Sequence, residues 1–462
     1  MISRWMAASA ALAALTFGPS LATASDADVQ RQLQDMQQRM QQMEDKLQAT
    51  NDQLDTANQR VEEQSQLIEN AGLAETRGAT NGLPGFLGQI TVGGWVAASY
   101  LYNVNDPNDH NNGGLQDTNS GLNGRFYPLH PDHNSFALDQ VWWEVERPIN
   151  EENRGGFRFD AVYGKTAARL GGPNNRDSRD DSGLYISQGY VQYLAPVGDG
   201  VTFKMGKFNT PIGVEVAQTV YNWNITRSSL WTLLQPVDHI GVTAGYAFGD
   251  TGFDAMIGGV NGFLPNDPDN NDAKSVIGHL GWANDTVTVG VNGIYGAENT
   301  GQDGHEAGLF DGIIKYNPSD RLGFWLNGDW AYNNDFGTNA WGVAAAGRYG
   351  ITDRTGVALR GEYVADRHGK LGFCGDPNSQ SRSQCSFSDV LAESGIETWG
   401  LTATVDHLLT DNLMVRAEAR YDKMMKDNAQ RDEFLHDSSG LSDDQIVVGA
   451  EVIYNFNKFG GQ

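Results

Sequence analysis

Beyond its first two dozen residues, the 462-residue chain contains no stretch approaching 18 consecutive apolar residues. That absence excludes a bundle of membrane-spanning helices. Basic residues are scarce too: 32 Lys and Arg stand against 58 Asp and Glu, a formal net charge of −26. So acidic a chain argues against nucleic acid and against anionic surfaces as partners. Cysteine is nearly missing. The two that exist, Cys374 and Cys385, share one polar loop, and in an exported chain they read as a short-range disulfide, with no further ligands placed for a metal. Proline is limited to 14 residues while glycine reaches 56, and hydrophobic content is 39%. These values fit a soluble protein, but they fit a transmembrane barrel better, because outward apolar residues alternate with polar lumenal ones and dilute every hydropathy window.

The N-terminus supplies the compartment. Residues 1–24 combine Arg4, an apolar run from Met6 to Phe17 and the small-residue pattern Ala22-Thr23-Ala24. This is the form of a secretory signal peptide, with an expected mature start at Ser25. From Val29 to Ala71 apolar positions recur at alternating spacings of four and three, which predicts a periplasmic α-helical coiled coil over residues 25–71. Leu33, Met40, Leu47, Leu54, Val61 and Ile68 form one seam, read here as the trimerisation contact of a homotrimer; Thr50 and Gln64 are polar layers in the other. A glycine-rich linker follows over 72–89.

From residue 90 to the end the period changes to two. About sixteen strands are expected, among them 90–104, 135–149, 201–213, 413–426 and 445–456. Tight turns such as Gly198-Asp199-Gly200, Asp250-Thr251-Gly252 and Thr410-Asp411-Asn412 alternate with long polar loops such as 105–134 and 368–394. Short connections on one rim and long ones on the other predict an all-β transmembrane barrel of antiparallel strands over 90–462, in the outer membrane of a Gram-negative-type bacterium, in contact with its lipid and lipopolysaccharide. The alternation of Arg416, Glu418, Arg420 and Asp422 with Val415, Ala417, Ala419 and Tyr421 assigns the charged set to the lumen. Aromatics near strand ends, including Tyr100, Tyr193, Phe248, Tyr316, Tyr363, Tyr454 and Phe456, suit the two membrane interfaces.

One loop breaks the pattern. VYNWNITRSSLWTLLQPVDHIG, Val220 to Gly241, is apolar, aromatic and interrupted by proline, whereas loops are ordinarily polar. Such a segment needs a surface to pack on, and a sixteen-stranded bore is wide enough to receive it. The prediction is a third loop, 214–238, folded inward to narrow the channel. Here GKFNTPIGVE (206–215), NWNITRSSL (222–230) and QPVDHIGV (235–242) resemble the signature region of the putative β-barrel porin-2 family, OmpL-like. The resemblance implies a diffusion channel for small hydrophilic solutes and ions, with no enzymatic role. The coiled-coil extension is similar to that of trimeric porins of the DcaP type. Glu215 and Asp238 flank the loop, Arg227 lies within it, and Arg158, Lys204, Arg360, Arg416 and Arg420 fall on lumenal strand faces. Acidic groups opposite a basic wall would set a transverse field across the constriction; the alternative is local pairing, Arg360 with Glu362, Arg416 with Glu418 and Arg420 with Asp422.

Other chemistry is thinner. Asn105–His110 and Asn266–Asp272 offer oxygen ligands for Ca²⁺ in external loops without completing a calcium-loop motif, and no other cofactor or metal is implied. No nucleophile, base and orienter fall together as an esterase requires. A structural rival to the channel is an envelope tether, its coiled coil reaching peptidoglycan.

Overall fold

The computed structural model describes residues 88–105, 129–130, 134–170, 183–263, 269, 271–298, 306–334, 338–366, 396–425, 435–437, 440–442, 444–457 and 459, together with Gln38, Gln41, Gln42 and Gln48. The chain divides into two units, residues 1–88 and 89–462. In the first, the four glutamines are helical and exposed. The signal peptide, the seam from Leu33 to Ile68, Cys374 and Cys385, and most of both calcium-like loops lie outside the described residues.

The second unit is built from strands. In chain order they are β1 Thr91–Asn103, β2 Ser135–Arg147, β3 Gly155–Gly164, β4 Gly183–Ala195, β5 Val201–Asn209, β6 Asp238–Ala247, β7 Phe253–Val260, β8 Ser275–Ala283 and β9 Val287–Ala297. They continue as β10 Glu306–Ser319, β11 Leu322–Asn333, β12 Thr338–Gly350, β13 Thr355–Asp366, β14 Ile396–Leu408, β15 Leu413–Met424, β16 Leu435–Asp437, β17 Gly440–Ser442 and β18 Asp444–Asn455. Sixteen of these close into one antiparallel barrel, β1 pairing with β2 on one side and β18 on the other, while β16 and β17 form a separate small hairpin. Closure removes the two open edges that a flat sheet would present.

Alternation decides which way each strand faces. On β15, Arg416, Glu418, Arg420 and Asp422 are buried in the interior, and Ala417 and Ala419 are exposed outside. Phe310, Ile314, Leu326, Leu359, Leu401, Val405 and Val452 stand exposed on the outer surface, a continuous apolar face of the kind that hydrocarbon covers. Tyr193, Phe248, Tyr316, Tyr454 and Phe456 join it near strand ends.

Turns hold the short rim. Gly252 sits at φ 79, and a Cβ there would overlap the carbonyl oxygen of Ala283; only glycine fits both conditions. Most strand ends fall within one or two residues of the sequence pattern, as where β2 stops at Arg147 rather than at residue 149, and two of the differences have a local cause. β3 stops at Gly164, whose φ of 126 and close approach to the Asp139 carbonyl end the extended run, and the chain enters a short helix, α1, Lys165–Leu170. β5 stops at Asn209 rather than Gly213, because Thr210 to Gly213 turn the chain into the barrel.

Candidate functional site

The segment from Val214 to Asp238 packs on the interior face of the wall, and its two feet are tied together first. The Thr210 amide donates to the Val237 carbonyl at 3.1 Å, and Thr210 Oγ1 lies 3.0 Å from His239 Nε2. Gly213 turns at φ 88, against the Gln235 side chain. Its amide donates to Asp311 on β10 at 3.0 Å, the Val214 amide to Asn327 on β11 at 3.2 Å, and Gln235 to Asn327 and Asp329 at 2.9 and 2.8 Å. Each polar wall side chain thus satisfies a backbone or amide group that burial would otherwise leave unpaired.

Further in, the contacts carry charge. Glu418 on β15 accepts the amides of Ile225 and Thr226 at 2.6 and 3.0 Å and the Thr226 hydroxyl at 2.5 Å. Arg360 on β13 donates to Glu215 at 2.8 Å, to the Thr226 carbonyl at 2.6 Å and to Glu362 at 2.8 Å. Arg420 reaches the Arg227 carbonyl, Glu362 and Asp422 at 2.5, 2.7 and 2.8 Å. Arg416 donates to the Asn222 carbonyl at 2.7 Å and to Glu451 of β18 at 2.8 Å. Charge-assisted hydrogen bonds of this kind are about twice as strong as neutral ones. Within the segment Arg227 donates to the carbonyls of Val216, Ile225 and Ala217 at 2.6, 2.7 and 3.0 Å. Its burial pushes the guanidinium down to about 10, with Glu215 and Glu451 opposing the shift and Arg416 and Arg360 adding to it.

The apolar residues explain the composition of the segment. Ser228 caps the helix α2, Ser229–Leu234, by accepting the Trp231 amide at 3.1 Å. Leu230 and Leu234 of that helix join Ile225 in a core with Ala344, Ala346 and Val364 of the wall. Small wall residues make the room: a Cβ on Gly342 would lie 2.6 Å from Leu230 Cδ1. At the other end, Trp95 and Trp142 stack at 5.1 Å on the interior of β1 and β2, and the Tyr221 ring stands edge-on to Trp95 at 5.8 Å. Tyr221 itself is 45% exposed.

The residues expected at a constriction therefore fall into two groups. Glu215, Arg227, Arg360, Arg416 and Arg420 come together in the seam between segment and wall, all buried, with Arg360 at 0% exposure. Arg158, Lys204 and Asp238 stand on β3, β5 and β6. Arg158, 21% exposed, pairs with Glu144, Glu146 and Asp160 at 2.8, 3.1 and 2.9 Å. The Lys204 ammonium lies 4.5 Å from the Tyr190 ring centre, and Asp238 accepts the Tyr185 hydroxyl at 2.8 Å and faces Lys207 at 3.6 Å. Of the local pairs, Arg360 with Glu362 and Arg420 with Asp422 form, whereas Arg416 takes Glu451 and leaves Glu418 to the segment. Glu418, Glu451, Gln140 and the Trp95–Trp142 stack were not singled out from sequence as anchors. Their signal was alternation alone, which marks an inward face without naming its partner. Among the described residues no group of three or more His, Cys, Asp or Glu could hold a metal ion.

Comparison with known proteins gives one family and a set of folds. The profile of the family described as Putative beta-barrel porin-2, OmpL-like matches residues 89–456. No curated protein matches the chain significantly. Solved structures with a similar fold include the outer membrane channel DcaP of Acinetobacter baumannii, at 9% identity and TM-score 0.49, covering 79% of this chain and 97% of that one. The anion-selective porin from Comamonas acidovorans aligns at 11% identity and TM-score 0.48, covering 79% and 99%. OprB of Pseudomonas putida aligns at 10% identity and TM-score 0.49, covering 80% and 95%.

Proposed function

The chain belongs to the putative beta-barrel porin-2, OmpL-like family, a family of channels rather than enzymes, and from that premise we propose that it is an outer-membrane diffusion channel for small hydrophilic solutes and ions, narrowed by segment 214–238. The observation that carries this reading is the anchoring of that segment. Its backbone is held by wall side chains from β10 and β11 through β13 and β15, and Thr219 reaches Gln140 on β2 at 3.2 Å. A segment held along the wall from β10 round to β2 leaves the lumen beside β3, β4 and β5, with Arg158, Tyr190 and Lys204, as the path for solute. Sixteen strands leave an aqueous bore wide enough for both.

Solutes would cross by diffusion down their gradient, sorted by the width of the opening and by the charges beside it. The heptad seam over 25–71 supports assembly as a homotrimer, its helices joined as a periplasmic rod. Conductance of purified protein in a planar lipid bilayer tests the channel: stepwise openings closing in three equal sublevels are expected, and protein that inserts but stays silent would overturn the reading. The same rod supports a second reading, a tether to peptidoglycan; co-sedimentation with purified peptidoglycan that survives deletion of residues 25–71 would refute it.

A further inference from the structure

His130 lies between β1 and β2 and is only 6% exposed, at the junction of wall and inward segment. Its neighbour Leu129 packs with Ala217 and Trp231 of that segment and with Leu170. The two ring nitrogens meet different elements. Nε2 is 3.3 Å from the Ile225 carbonyl, and Nδ1 is 3.3 Å from Asp139 Oδ1 on β2 and 3.4 Å from Ser99 Oγ on β1. The Asp139 carboxylate is 1% exposed, and neither of its oxygens accepts a hydrogen bond. A buried carboxylate without donors is costly unless an opposite charge stands beside it.

The acceptors decide the state of the ring. A carbonyl can only accept, so Nε2 must carry its hydrogen to bond Ile225. A neutral ring would then turn the bare lone pair of Nδ1 toward the Asp139 carboxylate, which is repulsive. The doubly protonated imidazolium keeps the Ile225 bond and supplies the counter-charge that Asp139 lacks, its Nδ1 standing 3.3 Å from Oδ1. We propose that His130 is a pH-sensitive latch: as an imidazolium it sets a positive charge beside Asp139 of the wall while Nε2–H holds the Ile225 carbonyl of segment 214–238. On losing the Nδ1 proton it keeps the Nε2–H bond but loses the charge that holds the ring to β2, so the tie between segment and wall weakens.

All charged groups near the ring bear on the latch. Burial favours the neutral ring and the Arg227 guanidinium of the segment adds to that, but Asp139 on β2 and Glu451 on β18 outweigh both, holding the imidazole above its ordinary 6.5. With the closed-state value raised, the tie is complete below pH 6.5 and weakens as pH rises through the raised value. Ser99 then becomes the remaining partner of Nδ1, donating its hydroxyl to the neutral ring.

The latch rests on the channel reading only for its effect on conduction, so the test reads the segment itself. Amide hydrogen exchange of peptides from 214–238 is measured on full-length protein in detergent between pH 6 and 9, after correction for intrinsic exchange. In the wild type, exchange of these amides is expected to rise by up to about tenfold per pH unit above 6.5. His130→Gln should exchange at the fast, unlatched rate throughout, with peptides from β12 and β13 unchanged as a check on folding. Asp139→Asn removes the buried charge and should abolish the pH dependence. A flat wild-type profile, or a His130→Gln variant that keeps the wild-type slope, overturns the latch. Conductance recorded in parallel separates the two ideas: a silent channel removes the porin reading and leaves the exchange result standing.

Discussion

Glu418 accepts both the amide and the hydroxyl of Thr226, at 3.0 and 2.5 Å, across 192 residues of chain. One carboxylate on β15 therefore fixes the innermost turn of the segment, and it also takes the Ile225 amide and the Thr404 hydroxyl. Glu418→Ala would leave two buried amides and two hydroxyls without this acceptor. The expected loss is roughly 2–3 kcal/mol of segment anchoring, visible as noisier single-channel openings with the barrel still folded. Quiet openings indistinguishable from wild type would show that Glu418 is dispensable.

Leu230→Ala tests the apolar half of the same anchorage. The side chain is fully buried against Ala344 and Val364, and truncation at such a site costs about 2–5 kcal/mol. Gly342→Ala presses from the other side, since its Cβ would stand 2.6 Å from Leu230 Cδ1. Faster hydrogen exchange confined to 214–238 is expected in both, and exchange spread evenly over the barrel would contradict a local role.

Arg158 stands amid Glu144, Glu146 and Asp160, beside which the channel reading places the solute path. Arg158→Gln strips from these three carboxylates the cation that pairs with each of them. Under a salt gradient the reversal potential should shift toward cation preference, and Lys204→Glu should move it the same way. A shift toward anions in either variant would place the solute path elsewhere.

Glu298, just past β9, ties the outer rim. It accepts the Phe263 amide at 2.8 Å and the Ser275 hydroxyl at 2.5 Å. Burial nevertheless pushes its carboxyl up to about 7, those two hydrogen bonds only moderating the shift. Because the folded value is raised, its contribution is whole below pH 4.5 and lost as pH climbs through about 7. Thermal unfolding followed by circular dichroism should show stability falling between pH 5 and 8, less so in Glu298→Gln. Equal slopes in the two proteins would refute this assignment.

Deleting residues 25–71 removes all six seam residues. Native mass measurement in detergent should find a trimer in the full chain and a smaller assembly in the deletion, because a heptad seam associates only with its own kind of partner. A trimer in both would move the contact to the barrel surface.

Much of this was legible from residue types. Alternation on β15 separates Arg416, Glu418, Arg420 and Asp422 from their neighbours without any knowledge of contacts, and the composition of 220–241 demands a surface. What alternation does not carry is partnership. Arg420 binds the carbonyl of Arg227, 193 positions away, and Arg416 takes Glu451 on the adjacent strand in preference to Glu418 two residues on. Such choices depend on the register between strands and on where the turn at Gly213 aims the chain. For that reason arginines that look like pore lining sit in the seam between segment and wall, where their charges are spent on carbonyls and carboxylates.

The hollow at Gly342 has a consequence for engineering. Leu230 is a knob cut for that hole, so segment and barrel are matched parts and neither is a free module. Grafted into a host whose wall carries a larger side chain at the corresponding site, 214–238 would find its socket filled. Swapping eyelets between channels of this kind therefore means transplanting patches of wall along with the loop.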